Sequence, residues 1–260
     1  MRPKTISSIA VLSVVVLGLT ALFTLVHSPA ARAQSGSFKI ALHGHPVGTA
    51  NFRFTPTSQG YNSTSLVHVT MKGLDYALSK SERLTPANHL VRVQLSATVN
   101  GSAATAMARP QGGHILLNMS ASGRNVAANL PAHEGAVFLP DFDPGALETL
   151  LALAIEQNNR GLWAIIPKNS GSIVPVQLAT FADMHGTLNG KPVTVHHLEA
   201  TISGDKTEIF SGSENQLLQA ELPQAGFALV RNGFVLQPPS RAPAPPAQPQ
   251  AAPAQTPPAQ

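Results

Sequence analysis

The stretch LVRVQLSATV, Leu90–Val99, places Val91, Val93, Leu95, Ala97 and Val99 on one side and Arg92, Gln94, Ser96 and Thr98 on the other. A side-chain period of two is that of a β-strand with one face in a core and the other in water. The same period recurs on either side of it. In 61–71 the odd positions carry Tyr, Ser, Ser, Val, Val and Met against Asn62, Thr64, Leu66, His68 and Thr70. Similar runs cover 38–42, 47–54, 74–84, 103–108, 114–119, 126–130, 174–181, 193–202, 207–211, 216–221 and 225–230, punctuated by Gly, Pro, Asn and Ser. Consecutive strands joined by short turns predict an antiparallel meander, and a meander this long must twist and curve.

One segment departs from the strand period. In DPGALETLLALAIEQNNRG, 143–161, Asp143 suits an N-cap and Pro144 the first helical position. Leu147, Leu150, Leu151 and Ala154 form an apolar stripe, and Gly161 can close the element. A helix is predicted over 144–159, its stripe covering one face of the sheet. The fold class expected is mainly β: a large curved antiparallel sheet, or half-barrel, covered by one α-helix and followed by a disordered C-terminal tail.

Both ends differ from this body. Arg2 and Lys4 precede an apolar run, 9–26, that leads to Ala31-Arg32-Ala33, the layout of a secretory signal cut after Ala33. Its 18 residues are also long enough for an uncleaved anchor in the inner membrane. An exported protein, periplasmic or extracellular, is expected either way. There is no cysteine, so neither a lipobox anchor nor a disulfide can form and the core alone must hold the fold. From Pro238 onward the chain is Pro, Ala and Gln with single Ser, Arg and Thr residues, too poor in apolar surface to order itself. The organisation expected is a signal over 1–33, one β domain over 37–236 and a disordered tail over 237–260, which offers a contact for an envelope protein or peptidoglycan.

The sequence pI of 9.7 does not imply a nucleic-acid partner. Arg2, Lys4 and Arg32 belong to the leader, and the remaining 14 basic side chains nearly balance 13 acidic ones.

The most chemically suggestive motif is LHGHPV, 42–47, with two histidines flanking a glycine. It is echoed by LNGKPV, 188–193, where Asn189 and Lys191 replace them. Asn-Gly is a hairpin-turn dipeptide, and Asn100-Gly101 offers another. The motif therefore reads as a turn, and no metal or other cofactor is expected. Metal-ligand spacings such as H-E-x-x-H, and the common nucleophile and phosphate-binding motifs, do not occur, so no catalytic residue is assigned. The pair Asp141 and Asp143 is open to an acid/base reading, but capping already accounts for Asp143. Trp163 reads as a core anchor.

The order of a leader, a strand entering G-x-P-V-G at 44–48, L-P-x-F-D-P opening a helix at 139–144, and N-Q-L-L-Q-A-E-L-P at 215–223 resembles the bacterial envelope family of domain of unknown function 3108. Its members look like the curved half-barrel of the periplasmic (Lol-type) lipoprotein carriers. The resemblance implies a binding protein that is not an enzyme, with a lipid or other apolar small molecule as partner. The matched Gly44, Gly48, Asp143 and Pro144 are structural positions. Candidate groove residues follow from the alternating faces: Val91, Val93, Leu95, Ile115, Leu117, Leu198 and Ile202 on strands, with Leu147, Leu150 and Leu151 on the helix. The same residues would equally make a filled core, in which case the protein is a structural or adhesion module of the envelope.

Overall fold

The computed structural model describes residues 34–168 and 170–238. The expected leader, and the expected tail beyond Pro238, lie outside the described residues.

Eight strands run in sequence from the start: β1 (Ser35–Leu42), β2 (His45–Thr57), β3 (Gly60–Met71), β4 (Leu74–Leu84), β5 (Leu90–Val99), β6 (Ser102–Gln111), β7 (His114–Ala121) and β8 (Arg124–Pro131). Each pairs antiparallel with the next. The turns are mostly two residues long, with left-handed backbone at His43-Gly44, Asn100-Gly101, Ser122-Gly123, Asn189-Gly190 and Ser203-Gly204. Two successive positive φ values are those of the tight hairpin turn whose twist matches the strands. LHGHPV and LNGKPV are thus the same turn.

After β8 come β9 (Gly135–Phe138), the helix α1 (Pro144–Glu156) and β10 (Leu162–Ile166). This is a crossover unit, and β9 and β10 pair in parallel. The sheet is therefore mixed, which departs from the all-antiparallel expectation for a local reason: a helix inserted between two neighbouring strands returns the chain to the same end of the sheet. The remainder is β11 (Ser172–Thr180), β12 (Met184–Leu188), β13 (Lys191–Ile202), β14 (Asp205–Ser211), β15 (Leu217–Leu222), β16 (Phe227–Arg231) and β17 (Phe234–Leu236). Strand β16 pairs with β1, which joins the two halves. The long β13 pairs along its first half with β12 and along its second half with β11. The 17 strands form one large sheet that stays open, since β8 and β9 end it without pairing to each other.

The helix is more deeply set than a covering stripe requires. It ends at Glu156, three residues before the predicted 159, and Asn158 and Asn159 turn the chain with positive φ. Ten of its residues are buried, including Gly145, Glu148 and Thr149, so it is covered well beyond one apolar stripe. Ser63 and Ser65 of β3 face it, and a Cβ on Gly145 would come within 2.6 Å of the Ser65 hydroxyl. Small residues on both sides allow this approach. Around the helix, Phe38, Ile40, Phe52, Val67, Val69, Leu84, Val93, Ile115, Leu117, Phe138 and Ile165 close the core.

Candidate functional site

The helix N-terminus carries a buried ionic cluster. Asp143 has extended backbone, and its Oδ1 accepts hydrogen bonds from the Gly145 and Ala146 amides at 2.9 and 3.3 Å, the capping role its sequence context predicted. Its Oδ2 lies 2.7 Å from Lys80 Nζ, and Lys80 donates to Glu82 Oε2 at 3.0 Å. All three side chains are fully buried. Burial by itself would lower the Lys80 pKa, but Asp143 and Glu82 outweigh it and hold the ammonium above its ordinary value. Burial raises Glu82 above the carboxylate range, partly opposed by Lys80 and reinforced by Asp143. Two carboxylates therefore face one ammonium inside the closed cluster. Closed to solvent, the cluster seats the helix on β4.

A second ion pair fixes the middle of the helix. Glu148 accepts from Arg231 at 2.9 Å, from the Leu217 amide at 2.9 Å and from Gln34 at 2.6 Å. Arg231 also donates to the carbonyls of Leu217 and Ser35, and lies over the Phe38 ring at 5.0 Å. Burial pushes Glu148 up to about 7 even against these favourable partners. It also lowers Arg231 from its ordinary value, opposed by Glu148.

Beside the helix N-terminus is an apolar cavity of about 270 Å³. The segment entering α1 forms one wall with Leu139 and Phe142, the helix adds Leu147, and β10 adds its last residue, Ile166. The β13–β14 hairpin, β15 and β16 complete it with Ile202, Leu222 and Leu229. Phe142 has left-handed backbone, φ 57°, unusual for an aromatic residue, and its ring packs edge-on against Phe227 and Tyr76. Burial, with Asp141 and Asp143 nearby, raises the Tyr76 phenol well above its usual range. At the rim Asp141 and Lys168 form an exposed ion pair at 2.7 Å. Asp141 and Asp143 therefore do separate work, one at the mouth and one at the buried end.

Of the predicted groove residues, only Leu147 and Ile202 line this cavity. Val93, Leu95, Ile115, Leu117, Leu150 and Leu151 are buried in the core, and Leu198 packs against it half-exposed. Val91 is turned outward and 37% exposed. The reason is a bulge: Arg83 pairs with Arg92 and Leu84 with Leu90, so Val91 is the extra residue and the face changes there. Val99, the last residue of β5, is exposed as well.

The buried charges were not predicted. Their signal lies in LDYALSKSERL, where the face of Leu74, Tyr76, Leu78 and Leu84 is interrupted by Lys80 and Glu82. Opposite charges two apart on an apolar strand face mark an internal pair. The histidines do not converge: His196 contacts Asp183 at 2.9 Å, and His197 contacts Glu208 at 2.6 Å between the rings of Phe181 and Phe210. Among the described residues no three His, Asp or Glu side chains gather as metal ligands, and no helix is long and apolar enough to cross a membrane.

No family model matches the chain, and no curated protein does. Among solved structures, a DUF1089 family protein from Pseudomonas aeruginosa is similar at 12% identity and a TM-score of 0.40, over 68% of this chain and 90% of that one. At that score nothing is carried across from it.

Proposed function

We propose that this is a non-catalytic, exported protein of the cell envelope that holds a lipid chain or another apolar molecule in the cavity beside the helix N-terminus. The observation that supports this reading is the cavity itself: apolar walls from five separate elements and a charged rim. Its volume of about 270 Å³ lies at the lower edge of small-molecule sites, roughly 300–1,000 Å³, and fits one slender chain better than a bulky ring system. The order of sequence motifs that resembles the domain of unknown function 3108 family implies the same kind of binding.

The test is native mass spectrometry of the purified protein, alongside Ala220→Trp, which places an indole in the cavity. A bound lipid mass on the wild type that disappears in the variant supports the reading. Only apo masses for both, or lipid retained by the variant, refutes it.

A second reading has an observation of its own. Most of the predicted groove is occupied by packed side chains, as in a structural or adhesion module with a filled core. Apo wild-type protein that stays monodisperse and lipid-free after export favours that alternative.

A further inference from the structure

The charges of the described chain are segregated although they nearly balance. From β2 through β8, residues 45–131, there are seven Lys and Arg against two acids, a net of +5. From 132 to 238 there are five against eleven, a net of −6. In the acidic half Lys168, Lys206 and Arg231 each pair with one acid, and the acids still outnumber the cations. In the basic half the excess lies at the surface. Once the buried Lys80 and Glu82 are set aside, its exposed charges are Arg53, Lys72, Arg83, Arg92, Arg109 and Arg124 against Asp75 alone.

Arg53, Arg83, Arg92 and Arg109 are on the sheet face opposite the helix, whereas Arg124 shares the face of Val126 and Ala128. Arg83 of β4 pairs directly with Arg92 of β5, and the Val93–Ala108 register sets Arg109 of β6 across from Arg92. With strands about 4.8 Å apart, three guanidinium-bearing positions fall within roughly 10 Å. Like charges directly opposite one another on a sheet are destabilising, so the row exists at a cost to the fold. Among the described residues no acid pairs with it: Arg83 donates to the Gln59 side-chain oxygen and Arg92 lies 4.0 Å from Met107 Sδ. The adjacent row on this face is Ser81, Gln94 and Met107, and beyond it lie the short side chains Ser79, Ser96 and Thr105. A broad, pleated surface with a row of arginines complements a planar array of anions, and the guanidinium fork matches phosphate oxygens.

We infer that the outward face of β4, β5 and β6, with Arg83, Arg92 and Arg109 in one cross-strand row, is a docking surface for a membrane rich in anionic phospholipid headgroups. This does not depend on the cavity having an occupant. It gives the molecule a membrane-facing side and, on the opposite side of the same sheet, a side that holds the helix.

The experiment is co-sedimentation of the protein with vesicles of phosphatidylglycerol mixed into phosphatidylcholine, compared with phosphatidylcholine alone. Wild type is set beside Arg83→Gln/Arg92→Gln/Arg109→Gln, with circular dichroism melts to show that both are folded. Any leader still attached is common to both proteins and inserts into either vesicle, so the anionic preference isolates the arginines. Each headgroup-facing arginine strengthens binding about 5-fold, so the triple variant is expected to lose roughly 100-fold in preference for anionic vesicles. The wild-type preference should also collapse between about 50 mM and 500 mM salt. Equal wild-type binding to both vesicles overturns the proposal, as does an anionic preference unchanged in the triple variant. Binding of soluble polyglutamate without binding of anionic vesicles overturns it in favour of a polymeric anion. If the triple variant fails to fold, Arg92→Gln alone carries the same test with an expected loss of about 5-fold.

Discussion

Replacing Lys80 with Met should damage the protein far more than removing one lysine from a surface would. Its ammonium lies 2.7 Å from Asp143 and 3.0 Å from Glu82, with all three side chains closed to solvent. Methionine fills a similar volume but leaves two carboxylates facing each other in a low-dielectric interior. Removing one partner from such a group costs about 3–5 kcal/mol. For a domain of about 200 residues, where each kcal/mol shifts the midpoint by about 2–4 °C, the melting temperature should fall by about 6–20 °C. The sign of the pH dependence is a sharper test. Glu82 already has a folded pKa above its ordinary 4.5, and loss of Lys80 removes the attraction that limits this rise. A carboxylate raised in the folded state favours folding below its unfolded pKa and loses that contribution as pH rises through the folded value. The gap between variant and wild type should therefore be wide near pH 8 and narrow towards pH 5, measured by urea melts at both. A loss below about 1 kcal/mol, or a gap that does not change with pH, would refute the buried, charge-coupled cluster.

Three further outcomes follow from the same geometry. Asp143→Asn keeps an oxygen for the Gly145 and Ala146 amides while Asp143→Ala does not, so Ala should be the less stable by about 1 kcal/mol in urea melts. Glu148, held at about 7 by burial against an ordinary 4.5, contributes stability present below 4.5 and lost as pH rises through 7. That amounts to about 3 kcal/mol, and Glu148→Gln should flatten the slope of stability across this window. A Cβ on Gly48 would come within 2.2 Å of the His68 carbonyl oxygen, so Gly48→Ala should lower stability by about 1–3 kcal/mol, despite alanine's lower backbone entropy cost, as read by thermal melts.

The element boundaries show why the fold could be read in advance. Strand Leu74–Leu84 begins and ends where the alternation does, because a half-buried hairpin must keep one face apolar at every second residue, and in Leu90–Val99 the alternation holds after the bulge at Val91. Strands β9, β10, β12 and β17 were not foreseen. The first two are buried on both sides and too short to show a period, and the last two form a small cluster of their own around Val195, Phe210, Leu218 and Phe234. The candidate site was less legible. Leu147 and Ile202 were anticipated and the other cavity walls were not, since they come from elements that meet only when the crossover helix is seated.

The sequence by itself determined the strand period, the positive-φ hairpin turns, the capped helix and the lack of any disulfide. All of these depend on residues within a few positions of one another. Tertiary structure decided which apolar face became a filled core and where a cavity survived. It also brought Lys80 and Asp143, 63 positions apart in the sequence, into contact within that core. It aligned arginines from three strands in one row, although basic and acidic side chains balance over the described residues. Electrostatic and packing energies depend on distance in space, and strand register sets that distance only after the sheet has formed.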